Sequence, residues 1–100
     1  MPAYVIVTYD IVDPKGYETY VPGVLPLLQK HGAEILVADY QAEALEGKAA
    51  GVTVVLKFDT EEAARNWHSD PAYQPVKQVR LNSTQNGVAV LAKGFVLPSA

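Results

Sequence analysis

The stretch AEILVADYQAEALEGKAAGVTVVLKF, Ala33 to Phe58, decides the fold of this chain. Ala33–Ala38 and Val52–Phe58 are runs of Val, Ile, Leu and Phe, and both read as β-strands. The residues between them, Asp39–Gly51, are polar and alanine-rich, with a turn at Glu46-Gly47-Lys48. Two strands therefore follow one another in the middle of the chain.

Upstream, Tyr4–Ile11 (YVIVTYDI) is a third run of β-branched and aromatic residues. Asp13-Pro14 then reads as an N-cap followed by proline at the first helical position. Tyr17, Tyr20, Val21, Val24, Leu25 and Leu28 recur at helical spacing. Pro22 and Pro26 each remove an N–H donor, which predicts a kink or break near Tyr20-Val21-Pro22-Gly23. Lys30-His31-Gly32 closes this helix, with basic groups at its negative end and glycine as the residue after the cap.

Downstream, Asp59 and Glu62 have the spacing of a capping box. Ala63, Ala64 and Trp67 form the inner face of the helix they open, which stops before Pro71. A further helical piece shows Tyr73, Val76, Lys77 and Arg80 on one side. Asn82–Gly87 reads as a turn-rich connector, Gly87–Lys93 as the last strand, and Phe95, Val96 and Leu97 as a tail. The order is β-α-β-β-α-β. It specifies a single α+β domain over residues 1–100, a ferredoxin-like sandwich with a four-stranded antiparallel sheet.

Composition narrows the function. The 100 residues are 49% hydrophobic and 19% charged, which is globular. The net charge is −3, and lysine and arginine are scattered, so neither nucleic acid nor an anionic membrane surface is the expected partner. There is no cysteine, which excludes disulfides and cysteine-held metals. With no signal-peptide pattern and no apolar run near the roughly 18 residues of a membrane span, the expected compartment is the cytoplasm.

The strands predict a partner. Ile35–Ala38, Val54–Leu56 and Val88–Ala92 are apolar on both faces, whereas an antiparallel sheet with one wet face alternates. Helices can cover one face only. The expected cover for the other is the sheet of a second copy, making a two-fold, barrel-like homodimer.

With this order in place, the pattern D-P-x₂-Y-x₂-Y-x₇-L-x₂-H-G from Asp13 to Gly32 can be set beside Leu45-Glu46-Gly47, Val54-Val55-Leu56-x-Phe58, Ala63-Ala64-x₂-Trp67-x-Ser69-x₃-Tyr73 and Arg80. Together they resemble the domain of unknown function 1330 family, a branch of the dimeric α/β barrel superfamily, over nearly the whole chain. The resemblance implies a ferredoxin-like fold and a homodimer, and it implies no reaction. Related barrels include cofactor-independent monooxygenases, muconolactone isomerases and haem-dependent chlorite dismutases, so the fold cannot choose a chemistry.

The candidate site lies in and around the last helices. Tyr73 and Arg80 are seven residues apart, two turns along one helical face. They could grip a carboxylate or enolate, or Arg80 could pair with a carboxylate such as Glu46 or Asp70. Tyr20 and Trp67 would shape apolar walls, Trp67 also serving as core. His31 is the candidate for proton transfer, its plainer role being a helix-end cap. His68, beside an inward Trp67, faces water. Thr8 and Asp10 share one face of the first strand, Asp10 being a base if interior and a cap at the strand end otherwise. Ser69-Asp70-Pro71 is punctuation. No metal or cofactor site is expected from two histidines without paired carboxylates. The function expected is binding of a small, partly apolar organic molecule with an acidic or carbonyl group. The alternatives are a cofactor-independent monooxygenase or isomerase, and a non-enzymatic dimerisation module.

Overall fold

A computed structural model describes residues 1–98. Its elements are β1 (Ala3–Ile11), α1 (Pro14–Tyr17), α2 (Tyr20–Lys30), β2 (Glu34–Asp39), β3 (Val52–Phe58), α3 (Glu61–Ser69), α4 (Tyr73–Ser83) and β4 (Thr84–Lys93). The strands form one sheet in the order β2-β3-β1-β4, with every neighbouring pair antiparallel. This is the ferredoxin-like α+β arrangement the element order specifies. No helix is long and apolar enough to cross a membrane among the described residues.

The two faces of the sheet differ. Along β1, Ala3, Val5, Val7 and Tyr9 are buried and the residues between them are not. Together with Val52, Leu56 and Phe58 of β3 they pack against Tyr17, Tyr20, Val24 and Leu28 of α1 and α2, and against Ala64, Trp67 and Tyr73 of α3 and α4. The opposite face carries no helix. There the register aligns Val37, Val55, Ile6 and Val90 in one row across all four strands. Val37 and Val90 are 41% and 46% exposed, and neighbouring Val88 is 57% exposed.

Three local readings of the sequence are corrected. The break in the first helical region lies at Glu18-Thr19, not at Tyr20–Gly23. Asp13 caps α1 by accepting from the Gly16 N–H at 3.1 Å, and α2 starts afresh at Tyr20. Pro22 is thus the third residue of α2, where its missing N–H is one that no intrahelical carbonyl would have bonded. Gly23 has a packing role: a Cβ there would meet both methyl groups of Val76 on α4 at 3.3 Å, so glycine lets the two helices approach. The α2 terminus follows the sequence reading. Gly32 has φ +70°, Ala33 N–H reaches Leu28 C=O, and Gly32 N–H reaches Gln29 C=O, a Schellman closure.

The second correction is one residue at the start of α3. Thr60 is the cap, its Oγ1 accepting from Ala63 N–H at 3.0 Å, in place of the expected Asp59. The third removes a loop. The expected connector Asn82–Gly87 does not exist, because α4 runs to Ser83 and β4 begins at Thr84. The hydroxyls of Ser83 and Thr84 donate to Val79 and Arg80 carbonyls at 2.7 Å and satisfy the end of the helix. The Ser83 carbonyl in turn accepts from Val12 and Asp13 N–H at 2.9 and 3.1 Å, pinning the helix end to the β1–α1 corner. The turn-prone Asn86 adopts φ +58° inside the strand, where the β1–β4 register shifts between Thr8 and Asp10.

Candidate functional site

A cavity of about 80 Å³ lies between α2 and the sheet. Its apolar walls include Val7 and Val54 of the sheet, Val24 and Leu28 of α2, and Trp67 of α3. Its polar atoms are phenols: Tyr9 on the inward face of β1, Tyr17 on α1, Tyr20 opening α2, and Tyr40 just past β2. The Tyr9 and Tyr17 hydroxyls are hydrogen-bonded to one another, and Tyr17 meets Tyr40 at 3.4 Å. The Tyr17 and Tyr20 rings lie 5.5 Å apart. Burial, the largest cause, pushes the hydroxyl pKa values of Tyr9, Tyr17 and Tyr20 above the ordinary tyrosine value. All three stay protonated at neutral pH. They can offer hydrogen bonds to an oxygen in the cavity and cannot act as bases there.

Of the residues singled out in the sequence, Tyr20 and Trp67 line this cavity. Tyr73 and Arg80 lie behind it. The Tyr73 hydroxyl bonds that of Tyr20 at 2.9 Å, and its ring lies 4.5 Å from Trp67. The Arg80 guanidinium lies 5.6 Å from the Tyr9 ring centroid and 5.8 Å from that of Tyr20. It forms an ion pair with neither Glu46 nor Asp70.

His31 is elsewhere. Its Nε2 is 2.8 Å from Asp70 Oδ2, which also accepts from Lys30 Nζ at 2.9 Å. Asp70 Oδ1 accepts from Ala72 N–H at 2.9 Å. This carboxylate, 8% exposed, therefore ties the end of α2 to the α3–α4 corner. His68 lines a second cleft, of about 350 Å³, between α3 and β4, together with Arg65 and Ser69. Asp10 caps: Oδ1 accepts from Gly51 N–H at 2.9 Å and Oδ2 from the Asn86 amide at 3.0 Å. Among the described residues no three His, Cys, Asp or Glu side chains gather as a metal site.

Asp70 makes a pH prediction. Hydrogen bonds from His31 first, then Lys30, hold its pKa well below its ordinary 3.8. A depressed carboxylate stabilises the fold above its unfolded pKa and loses that contribution as pH falls through the folded one. Acid titration of the melting temperature should therefore fall steeply below about pH 4. Asp70→Asn should lower the midpoint by several degrees at pH 7 and flatten the acid limb. An unchanged limb in the variant would remove Asp70 from the account.

Sequence reasoning missed Tyr9 and Tyr40. Tyr9 was within reach, since it continues the inward alternation of Ala3, Val5 and Val7. Tyr40 follows a strand whose register shifts between Ile35 and Val37, and nothing in its neighbours' periodicity points it at Tyr17.

The fold recurs in solved structures at low sequence identity. A protein of unknown function from Rhodopseudomonas palustris superposes with TM-score 0.80 and 13% identity, over 96% of this chain and 84% of that one. SnoaB, a cofactor-independent oxygenase from Streptomyces nogalater, gives 0.69 and 11% over 98% of each chain. A dimeric ferredoxin-like protein of unknown function from Jannaschia sp. CCS1 gives 0.66 and 10% over 94% of this chain and 100% of that one. No curated protein matches the sequence. The family model described as a domain of unknown function (DUF1330) matches residues 2–95.

Proposed function

We propose that this chain, which belongs to the DUF1330 family, binds a small, partly apolar organic molecule with an acidic or carbonyl oxygen between α2 and the sheet. The observation that carries the reading is the cavity itself. Apolar walls surround a small set of convergent phenols, the usual make-up of a small-molecule site. Tyr20 and Trp67 are walls, the linked Tyr9, Tyr17 and Tyr40 hydroxyls keep one O–H to offer, and Tyr73 holds Tyr20 in place. His31 is not given a proton-transfer role, because its ring is spent on Asp70 and lies off the cavity.

A homodimer is part of the proposal. The Val37–Val55–Ile6–Val90 row and the exposed Phe95, Val96 and Leu97 ask for a cover, and a face-to-face second copy supplies it. The described dimeric state of the Jannaschia protein agrees with this assembly.

A second reading, cofactor-independent oxygenation or isomerisation, draws on the likeness to SnoaB and on the protonated phenols. Donors of that kind would stabilise an enolate oxygen, while the acidity of the substrate itself would supply the carbanion. A pure dimerisation module would have no use for an open, phenol-lined cavity.

Filling the cavity separates these readings. Val24→Phe projects a ring into it from α2. Native mass spectrometry of freshly purified wild-type protein should show a co-purifying small molecule that this variant lacks. A wild-type protein with no such adduct, whose melting temperature no small aromatic acid or ketone raises, would leave the module reading standing.

A further inference from the structure

We infer that the molecule held in the α2–sheet cavity is an anion, a carboxylate or a stabilised enolate, and that Arg80 selects it by supplying the opposite charge from behind the cavity wall. The inference rests on the reading of that cavity as a ligand site. Arg80 is only 5% exposed, and a guanidinium cannot shed its proton at neutral pH. Buried charges are ordinarily paired, because an unpaired one keeps the cost of leaving water. Arg80 is not. The ion pairs among the described residues join Lys30 and His31 to Asp70, and Arg65 to Glu61. Its Nε is buried without a hydrogen-bond partner.

What surrounds the guanidinium is phenolic: the neutral Tyr20 and Tyr73 hydroxyls are its hydrogen-bonding neighbours and carry no charge to balance it. It lies within 6 Å of the ring centres of Tyr9 and Tyr20, a cation–π arrangement that offsets part of the lost hydration without neutralising the charge. Both rings are also walls of the cavity. The other ionisable groups nearby, His68 and Lys77 on α3 and α4, supply no negative charge. Asp70, the buried carboxylate of this region, is committed to Lys30 and His31. The protein thus presents a fixed positive charge beside two rings that wall an apolar cavity and gives it no carboxylate partner. In such low-dielectric surroundings its attraction for an anion is much stronger than in water. An anion seated beside these phenols would accept from the O–H that the Tyr9–Tyr17 pair leaves free, and from Tyr20 where Tyr73 donates to it, and would complete the charge balance. A neutral molecule of the same shape would gain only the hydrogen bonds.

Benzoate and benzamide are near-isosteric probes that differ in charge, and Trp67, the single tryptophan, lines the cavity and reports binding by fluorescence. The wild-type protein should bind benzoate at least about tenfold more tightly than benzamide at pH 7.5. In Arg80→Met the two affinities should agree within about twofold, because replacing a buried charge with an apolar chain of similar volume commonly leaves a protein folded. Arg80→Lys, which keeps the charge, should retain a clear preference for benzoate. Equal affinities in the wild-type protein, or a preference undiminished in Arg80→Met, would overturn the inference and leave the cavity reading intact. Failure of the wild-type protein to bind either probe would remove both.

Discussion

Val90→Glu is expected to turn the proposed homodimer into a folded monomer. Val90 ends the row that begins at Val37 and passes through Val55 and Ile6, on the sheet face with no helix. In the isolated subunit it is 46% exposed on the edge strand β4, so a glutamate there reaches water and costs the fold little. In a face-to-face pair the same carboxylate would be drawn out of water onto an apolar row. Two-fold symmetry doubles the fault, since each copy contributes one. Removing an unpaired carboxylate from water costs several kcal/mol after relaxation, so association should weaken by at least about a thousandfold. Light scattering at low micromolar concentration should give twice the subunit mass for the wild-type protein and the subunit mass for the variant. Circular dichroism should be the same for both. A wild-type monomer would end the dimer proposal, and a variant that stays dimeric would move the interface to another surface.

Trp67→Ala should have the largest effect on stability. The indole is 2% exposed and lies 5.7 Å from the Phe58 ring and 4.5 Å from that of Tyr73. It is where β3, α3 and α4 meet. Truncating such a residue typically costs about 3–5 kcal/mol, from lost burial and from the void left behind. A domain of this size has roughly 5–15 kcal/mol in all, and each kcal/mol moves the midpoint by about 4–8 °C. Thermal denaturation should therefore shift downward by roughly 12–40 °C, or the variant should be unfolded at room temperature. Trp67→Phe should lose much less, because the indole Nε1 is buried without a partner and its removal breaks no hydrogen bond. A midpoint within a few degrees of wild type for Trp67→Ala would make the indole a mere cavity wall.

The fold was legible because its determinants are local and periodic. Period-two burial in β1, the cap at Asp13, and the Lys30-His31-Gly32 terminus each act within a few residues. What was not legible depended on partners far along the chain. Asn82–Gly87 has the composition of a loop, but the Ser83 and Thr84 hydroxyls bond back to the helix, and the Ser83 carbonyl finds the β1–α1 corner some seventy residues away. Pro22-Gly23 looks like a breaker until Val76 is seen against it. The site divides in the same manner. Helical spacing was enough to set Tyr73 and Arg80 on one side of α4. Whether that side reaches a ligand directly or through the Tyr9 and Tyr20 rings depends on how α1, α2 and β1 pack, and no spacing within α4 encodes it. Asp70 looked like punctuation for the same reason, since its partners Lys30 and His31 come from the end of another helix.

The seam between β1 and β4 bears on how the molecule ages. Asn86 holds a left-handed backbone there, its side-chain amide donating to Asp10, and Gly87 follows it. Asparagine before glycine is chemically the most labile amide position in a polypeptide, because no side chain hinders attack by the next backbone nitrogen. Deamidation at Asn86 would exchange a donor for a carboxylate against the carboxylate of Asp10. That replaces a hydrogen bond with a repulsion on the strand pair that carries the open sheet face. Stored protein would accumulate species one negative charge richer, with aspartate or isoaspartate at position 86, and progressively poorer at pairing.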